Sequence, residues 1–573
     1  MHGIARVHPA GEASRDPRLT KLGEEPPWWR STTVYQVYPR SFADGNGDGI
    51  GDLPGLIGRL DYLADLGVET LWLSPFYDSP QADFGYDIRD HFDVAAEYGS
   101  RGDVRRLVDE VHARGMKIVF DMVLNHTSDE HPWFRESRAS RTSPRRDWYL
   151  WREGRRPGGK APPNNWKSML GGTGWHYDER TREWYWASFL GFQPDLNYRN
   201  PDVKREMLGV VRHWLEVGAD GLRLDIFNAL FKDESFADNP FSARPFPSED
   251  NPDGFFQRSK HTIDHPDTFA FARELRVLVD SIPGPPRFLV GEVFGSPRAL
   301  RRYCGDRDDG LHLVFLFKTL RTAYRGPAVR ALVEEIEREF AEPLHPTYVF
   351  GNHDRPRSIH RLGDHAGRAK LMATLQLTAR GVPFIYYGEE IGMPQHTIAL
   401  EHGKDPVAAR FRFVPDWLAR PLRKIGISMN RDECRLPMAW DDGPNGGFST
   451  AEETWLPAHP LYESINVAAE RRDPDSILHC YRRLLAIRRE TPALHAGSLE
   501  LLGHGRGPAD VVAYRRVHSR GSVDVLLNFA DGDVTVPVGA AGRAMLFSTH
   551  VDAPPRAGRT LRLRAHEGVI LAR

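Results

Sequence analysis

The sequence predicts an α/β fold: a (β/α)8 TIM barrel with an inserted subdomain after strand 3 and a C-terminal antiparallel β-sandwich domain. Three observations carry that expectation. From Thr33 onward, short runs of β-branched and aromatic residues alternate with longer helical patterns. Eight such strand-like runs occur, most of them apolar without alternation, as parallel strands buried on both faces require. Beyond about Ser498 the helical patterns stop and short β runs take over. An open doubly wound sheet with additions is the architecture this rhythm leaves open.

The eight runs are 33–38, 69–73, 117–123, 221–226, 287–293, 311–317, 347–351 and 382–387. Helical patterns fill the gaps. In 101–114, Val104, Leu107, Val108 and Val111 form one stripe, and Gly115 is the stop. Residues 202–217 and 328–340 follow suit, and 477–489 supplies a late helix able to close the barrel. Two stretches break the rhythm. Residues 126–191, rich in Trp, Arg, Pro and Gly, are too long for a plain connection and read as a lid subdomain over the cleft. A second irregular insertion spans about 390–474. The domain division is then 1–27 as an N-terminal extension, 28–125 and 192–497 as the barrel, and 498–573 as the sandwich. In the last, 510–517, 522–527 and 560–563 are the clearest strands.

Composition narrows the function. The chain has 573 residues, 40% apolar and 27% charged, which excludes disordered and fibrous classes and one small binding module. Lys plus Arg total 76 and Asp plus Glu 78, so a net charge of -2 offers no field to hold nucleic acid or an anionic membrane. A small neutral partner fits. Cys304, Cys434 and Cys480 share no close spacing, which excludes a disulfide framework and a Cys-based zinc site and points to a reducing, cytoplasmic setting. The first 27 residues lack the apolar run of roughly 7 to 15 that a signal peptide needs, and no run approaches the roughly 18 of a membrane span. Aromatic residues reach 11%, which suits either a large core or a cleft that stacks on sugar rings.

In such a barrel the chemistry sits at the C-terminal ends of the strands, and several of these ends are acidic. The third run closes on Asp121-Met122-Val123-Leu124-Asn125-His126, the fourth on Arg223-Leu224-Asp225, the fifth on Gly291-Glu292 and the seventh on Asn352-His353-Asp354. One carboxylate at a loop start is as readily a helix cap or half of a salt bridge. Three, Asp225, Glu292 and Asp354, can converge on one cleft. Two carboxylates flanking a bond suffice for acetal hydrolysis, one protonating the leaving oxygen while the other attacks or activates water. Arg223, on the same strand face as Asp225, supplies a fixed cation that favours the nucleophilic form. Glu292, as the acid, should carry a raised pKa.

These segments resemble, in order and spacing, the signature regions of the α-amylase family, glycoside hydrolase family 13. Gln193-Pro194-Asp195-Leu196-Asn197, Gln36-Val37-Tyr38-Pro39-Arg40-Ser41-Phe42, Phe84-Gly85-Tyr86-Asp87 and Tyr387-Gly388-Glu389-Glu390 are similar to its oligo-1,6-glucosidase and α-glucosidase branch. The resemblance runs from about Trp28 to the C-terminus. It implies a retaining mechanism with Asp225 as nucleophile, Glu292 as acid/base and Asp354 as transition-state stabiliser. It also implies that His126 and His353 bind the non-reducing glucose, that Arg223 orients Asp225, and that Tyr86 stacks under the sugar while Asp87 binds its far hydroxyls.

Asp44-Gly45-Asn46-Gly47-Asp48-Gly49-Ile50-Gly51-Asp52 has the look of a calcium loop. Asp44, Asn46 and Asp48 stand at its positions 1, 3 and 5, Gly49 at 6 and the Ile50 carbonyl at 7. Gly55 replaces the Glu of position 12, so the loop is no EF-hand; it ends on Asp52, which can also start a helix. A solvated Asp/Gly turn is the plain alternative. In the resembling branch the loop holds Ca2+ or Mg2+ away from the cleft, so a structural metal on Asp44, Asn46, Asp48, Ile50 and Asp52 is expected, with no organic cofactor.

Substrate signs are fewer. In the resembling branch Val after the nucleophile accompanies α-1,6 preference, and Thr or Ala α-1,4; here Ile226 stands there, which leans toward α-1,6 or a restricted acceptor pocket. Arg435, in a motif where Leu436 and Ala439 replace the usual Thr and Gln, and the rings of Phe189 and Phe294 are candidates for the acceptor side. The expectation is an exo-acting α-glucosidase that cleaves short α-glucosides of maltose, isomaltose or sucrose type, or aryl α-glucosides, from the non-reducing end, with some transfer to hydroxyl acceptors, as monomer or homodimer. A glucosyl-isomerising enzyme of trehalose synthase or sucrose isomerase type is the near rival. A non-catalytic relative is the distant one, at odds with the presence of all three carboxylates.

Overall fold

The computed structural model describes residues 26–155, 157–415, 417–419, 429–503, 508–539 and 541–573. Nearly all of the predicted N-terminal extension, and part of the 390–474 insertion, lie outside the described residues. Eight parallel strands build the barrel: β1 (Val34–Val37), β2 (Thr70–Leu73), β3 (Lys117–Val123), β4 (Gly221–Asp225), β5 (Phe288–Gly291), β6 (Leu313–Val314), β7 (Thr347–Val349) and β8 (Val382–Tyr386). Each predicted run contains one of them. Their order in the sheet, β6-β5-β4-β3-β2-β1-β8-β7, is that of a barrel cut between β6 and β7. No backbone ladder crosses that seam among the described residues. The buried Thr347 hydroxyl bridges it instead, accepting from the Leu316 N–H at 3.1 Å and donating to the Val314 carbonyl at 2.9 Å.

The apolar runs are apolar because both faces are covered. Val34, Trp72, Val119, Phe288, Val290, Leu313, Val349 and Phe384 fill the interior, and Trp29 joins the same cluster. The opposite faces pack under the helices. In helix Arg101–Ala113 the predicted stripe of Val104, Leu107, Val108 and Val111 is buried, and Ser100 caps it with Asp103 in a capping box. Helices Pro201–Val217, Gly326–Glu339 and Ile477–Glu490 follow the other three patterns within a few residues.

Residues 126–191 carry helix Pro132–Ala139 and a three-stranded antiparallel sheet of Trp151–Arg152, Trp175–Asp178 and Glu183–Trp186, cored by Trp166, Trp175 and Trp186. The buried Lys232, beyond β4, joins the two flanks of this insertion by pairing with Asp195 and donating to Asn125 Oδ1 at 3.0 Å. The C-terminal part has a six-stranded sheet, β9 (Ser498–Leu501), β10 (Val511–His518), β11 (Gly521–Asn528), β16 (Gly568–Ala572), β13 (Arg543–Ser548) and β14 (Arg556–Ala557) in spatial order. The pair β12 (Val534–Pro537) and β15 (Thr560–Leu563) closes over one face, burying Val536, Leu561 and Leu563 against Leu526, Val569 and Leu571.

The Thr347 bridge is testable. Thr347→Val keeps the shape and strands one buried donor and one acceptor, so it should cost about 2 kcal/mol and lower the thermal midpoint. An unchanged midpoint would remove the hydroxyl from barrel closure.

Candidate active site

The strand ends deliver the acidic residues to one point. Asp225 is the last residue of β4, Glu292 follows the end of β5, and Asp121 lies within β3 opposite Arg223 in the ladder. Arg223 is 1% exposed, and one of its terminal nitrogens donates to Asp121 Oδ1 at 2.6 Å and to Asp225 Oδ1 at 2.7 Å. The other donates to Glu292 Oε2. One buried cation thus faces three buried carboxylates. The Trp72 indole N–H and the Tyr86 hydroxyl both donate to Asp121 Oδ2 at 3.1 Å. Burial pushes Asp121 up to about 7, against the pull of Arg223. Glu292 is raised well above its ordinary range by burial, with the negative fields of Asp225 and Asp354 opposing Arg223, and Asp225 is close enough to share a hydrogen bond with it.

A polar wall adjoins the cluster. The Tyr86 and His353 rings are parallel within 2°, with the Tyr86 hydroxyl 2.7 Å from His353 Nε2. Gln36 donates to His353 Nδ1 at 2.8 Å, which leaves the ring proton on Nε2. Burial pushes His353 down to about 3, so it is neutral. His126 Nε2 donates to the Tyr86 carbonyl at 3.0 Å. Asp354 Oδ1 accepts from Arg435 at 2.9 Å and from Arg431 at 3.3 Å. Burial alone would raise Asp354, yet His353, Arg431 and Arg435 hold it well below the carboxylate range. Since His353 is neutral, the two arginines carry that effect near neutral pH.

Two expectations are corrected. Asp87 is fully buried away from the pocket, its carboxylate taken by Ser79 Oγ and the Ala82 and Asp83 N–H groups at 2.9–3.0 Å. Asp83, three residues before Tyr86, lines the pocket in its place, bound to Arg431 at 2.5 Å and to Gln193 at 3.1 Å. Arg435 is also fully buried; it grips the His353 carbonyl at 2.8 Å and Asp354, behind the polar wall and outside the cavity lining. Arg431, four residues earlier, reaches the cavity.

The cavity has a volume of about 240 Å3. Tyr86, His126, His353, Asp225, Glu292 and Asp354 line it, as do Phe189, Ile226 and Phe294. Ile226 adopts φ +43°, a left-handed conformation costly for a β-branched residue, which turns the chain sharply after Asp225 and packs its side chain with Ile263, Met169, Phe189 and Phe294. Sequence reading missed the roof, the long β4 loop between 227 and 265, which contributes Glu249, Phe255 and Ile263 to the lining. Glu249 is its anchor. Its 3%-exposed carboxylate pairs with Arg355 and, at 3.3 Å, with Arg321, and its carbonyl accepts from the Gly295 N–H at 2.8 Å. One residue pins the β4 loop to the loops after β5, β6 and β7.

The 44–52 loop lies apart from this cavity. Asp44 accepts from the Asn46, Gly47 and Gly49 N–H groups at 2.7–3.0 Å, and Asp48 Oδ1 accepts from the Ile50 N–H at 2.8 Å. Asp52 Oδ1 accepts from Gly45 and Gly55 N–H groups and caps helix Leu53–Ile57. That oxygen is therefore a cap. Among the described residues no three His, Cys, Asp or Glu gather as a metal cluster.

A parallel barrel whose strand ends gather an arginine-bound aspartate and a proton-retaining glutamate in a small pocket is the apparatus of a barrel glycoside hydrolase. The chain belongs to the α-amylase family, glycoside hydrolase family 13: the family model "Alpha amylase, catalytic domain" matches residues 36–497, and a domain family of unknown function matches 503–570. It is 38% identical to a probable alpha-glucosidase of Rhizobium meliloti (strain 1021), over 89% of this chain and 90% of that protein. It is 36% identical to an oligo-1,6-glucosidase of Halalkalibacterium halodurans, over 94% and 98%. The trehalulose synthase of Pseudomonas mesoacidophila MX-45 superposes with a TM-score of 0.85 at 34% identity, over 96% of this chain and 100% of that one.

Glu249→Gln keeps the shape of the roof anchor and removes its charge. Because Arg355 and Arg321 can turn to water, the loss should be about 1–2 kcal/mol, below that of a fully buried pair. Limited proteolysis should then cut faster within 240–256 while barrel cleavage is unchanged.

Proposed function

We propose that this chain is an exo-acting, retaining α-glucosidase that removes glucose from the non-reducing end of short α-glucosides and transfers some of it to hydroxyl acceptors. The observation that carries this reading is the charged wall of Asp83, Arg431 and Asp354 beside the carboxylates, within a pocket of about 240 Å3. Such a wall hydrogen-bonds the hydroxyls of a terminal glucose and bars chain continuation, as an open endo-acting cleft does not. The names of the relatives, alpha-glucosidase and oligo-1,6-glucosidase, support it.

Arg223 occupies Asp225 Oδ1 and leaves Oδ2 to attack the anomeric carbon. Glu292, its proton retained by burial, delivers that proton to the departing oxygen. Glu292 then takes a proton from water, which releases glucose from Asp225. One guanidinium reaching both carboxyls supports the spacing of about 5–5.5 Å of retaining enzymes rather than the 6.5–9.5 Å of inverting ones. A second reading, isomerisation, is favoured by the apolar residues beside Glu292, which keep water scarce, and by the likeness to trehalulose synthase. Three free, buried cysteines suit a reducing, cytoplasmic setting. No helix among the described residues is long and apolar enough to cross a membrane.

Incubation with maltose, isomaltose and sucrose should release free glucose, first as the α-anomer by NMR, and Asp225→Asn should lower kcat by about 10^4-fold with folding intact. A rearranged disaccharide as main product would establish the isomerising reading, and β-glucose would refute retention.

The oxygens of the 44–52 loop suit a hard cation, so Asp44, Asn46, Asp48, the Ile50 carbonyl and Asp52, whose Oδ1 also caps the helix beyond, would hold a structural Ca2+ or Mg2+. Chelation should lower the thermal midpoint and Ca2+ restore it; an unchanged midpoint would reject the metal.

A further inference from the structure

Five Phe and Trp side chains are exposed among the described residues: Phe241 (73%), Phe246 (51%), Phe256 (56%), Phe413 (80%) and Trp417 (71%). All five stand on two loops that border the pocket. The first three lie in the roof loop, whose Phe255 lines the cavity; the other two follow helix Pro406–Arg410, whose Val407 also lines it. The turn at Gly171 and Gly172 links the loops. A Cβ on Gly171 would meet the Phe255 ring at 3.1 Å, and the Gly171 carbonyl accepts from Arg410 at 2.7 Å. Exposed rings concentrated on two segments whose neighbours Phe255 and Val407 line the cavity are not the ordinary scatter of surface residues.

The fold holds Phe256 outward and its neighbour Phe255 toward the cavity. Phe255 and Phe256 both take positive φ, +52° and +62°, a costly choice for aromatic residues. The Phe256 N–H donates to the Arg244 carbonyl at 2.9 Å and its carbonyl accepts from Ser242 at 3.2 Å, which fixes that turn. On the second segment, Leu400, Ala408, Ala419 and Met429 pack with Phe411 and Val414 as a small core that, among the described residues, does not include Phe413 or Trp417.

The same character continues inward to the acid. Phe294 and Phe317, with centroids 6.1 Å apart, line the cavity with Phe189, Ile226 and Ile263. These residues adjoin Glu292: the Ile226 N–H is 3.4 Å from Glu292 Oε2, and Asn228 donates to the Phe294 carbonyl at 3.4 Å. Of the charged groups that line the cavity here, Glu249 and Arg355 are paired with each other, and Lys167, whose backbone N–H donates to Gln257 at 3.2 Å, is exposed at the edge.

We propose that this track from Glu292 to the rim binds an apolar aglycone, so that the preferred substrates are α-glucosides of aromatic or long alkyl alcohols and such alcohols are preferred acceptors. The proposal rests on the α-glucosidase reading and names its leaving group. In cleavage the glycosidic C–O bond breaks, Asp225 bonds the anomeric carbon, and the aglycone leaves as its alcohol with the Glu292 proton. In transfer the acceptor hydroxyl gives its proton to Glu292 while its oxygen displaces Asp225.

The test compares kcat/KM for octyl α-glucoside, 4-nitrophenyl α-glucoside and isomaltose. The parent enzyme is set against two variants, Phe241→Ser/Phe246→Ser/Phe256→Ser and Phe413→Ser/Trp417→Ser. The replaced rings are exposed, so folding should hold. In at least one variant the octyl value should fall about tenfold or more while isomaltose stays within about twofold. Equal changes on all three substrates, or none, would overturn the proposal. So would light scattering that finds a dimer which the triple variant makes monomeric while its octyl preference persists, since the rim would then seat a second copy. A parent enzyme inactive on all three would overturn the α-glucosidase reading itself.

Discussion

The structure turns on one guanidinium. Arg223 donates to Asp121, Asp225 and Glu292 from the centre of the barrel mouth, with all four groups buried. One positive charge cannot balance three negative ones away from water, so the cluster retains protons. Asp121, pushed up to about 7 by burial, and Glu292, raised by burial and by its acidic neighbours, are the two members that this imbalance shifts upward. A carboxylic acid and an arginine-bound aspartate side by side are what acetal cleavage requires. The parallel register of β3, β4 and β5 is what brings them there.

Around this centre the pocket divides. Asp83, Arg431, Asp354, His353 and His126 present hydrogen-bonding groups on one side, and Phe189, Ile226, Ile263 and Phe294 present apolar surface on the other. Neutral His353 completes a relay from Gln36 through Tyr86 to Asp121, so the polar side is wired back into the Arg223 cluster. The roof loop, pinned by Glu249, closes the apolar side. A small uncharged substrate needs this local division more than a long-range field, which accords with the net charge of -2.

The strands, the four helical patterns, and the placement of Asp225, Glu292 and Asp354 were legible because a strand end in a parallel barrel faces the same mouth whatever the loops do. Loop side chains obey partners distant in sequence, and there the reading erred. Asp87 and Asp83 are indistinguishable by composition; their partners tell them apart, Arg431 and Gln193 on Asp83, and Ser79 with the Ala82 and Asp83 N–H groups on Asp87. Arg431 and Arg435 lie in one motif, and the pull of Asp83 and Asp405 on the first brings it to the cavity. The roof loop showed no periodicity, so Glu249 carried no signal until Arg321 and Arg355 appeared beside it.

The most direct test of the Arg223 account is the pH dependence of kcat/KM. Activity should fall as pH rises through a group titrating well above the ordinary carboxylate value of about 4, because raised Glu292 loses the proton it must donate, and Glu292→Gln should abolish that limb. A rate that is level through neutral and mildly alkaline pH, or a limb that survives in Glu292→Gln, would contradict it.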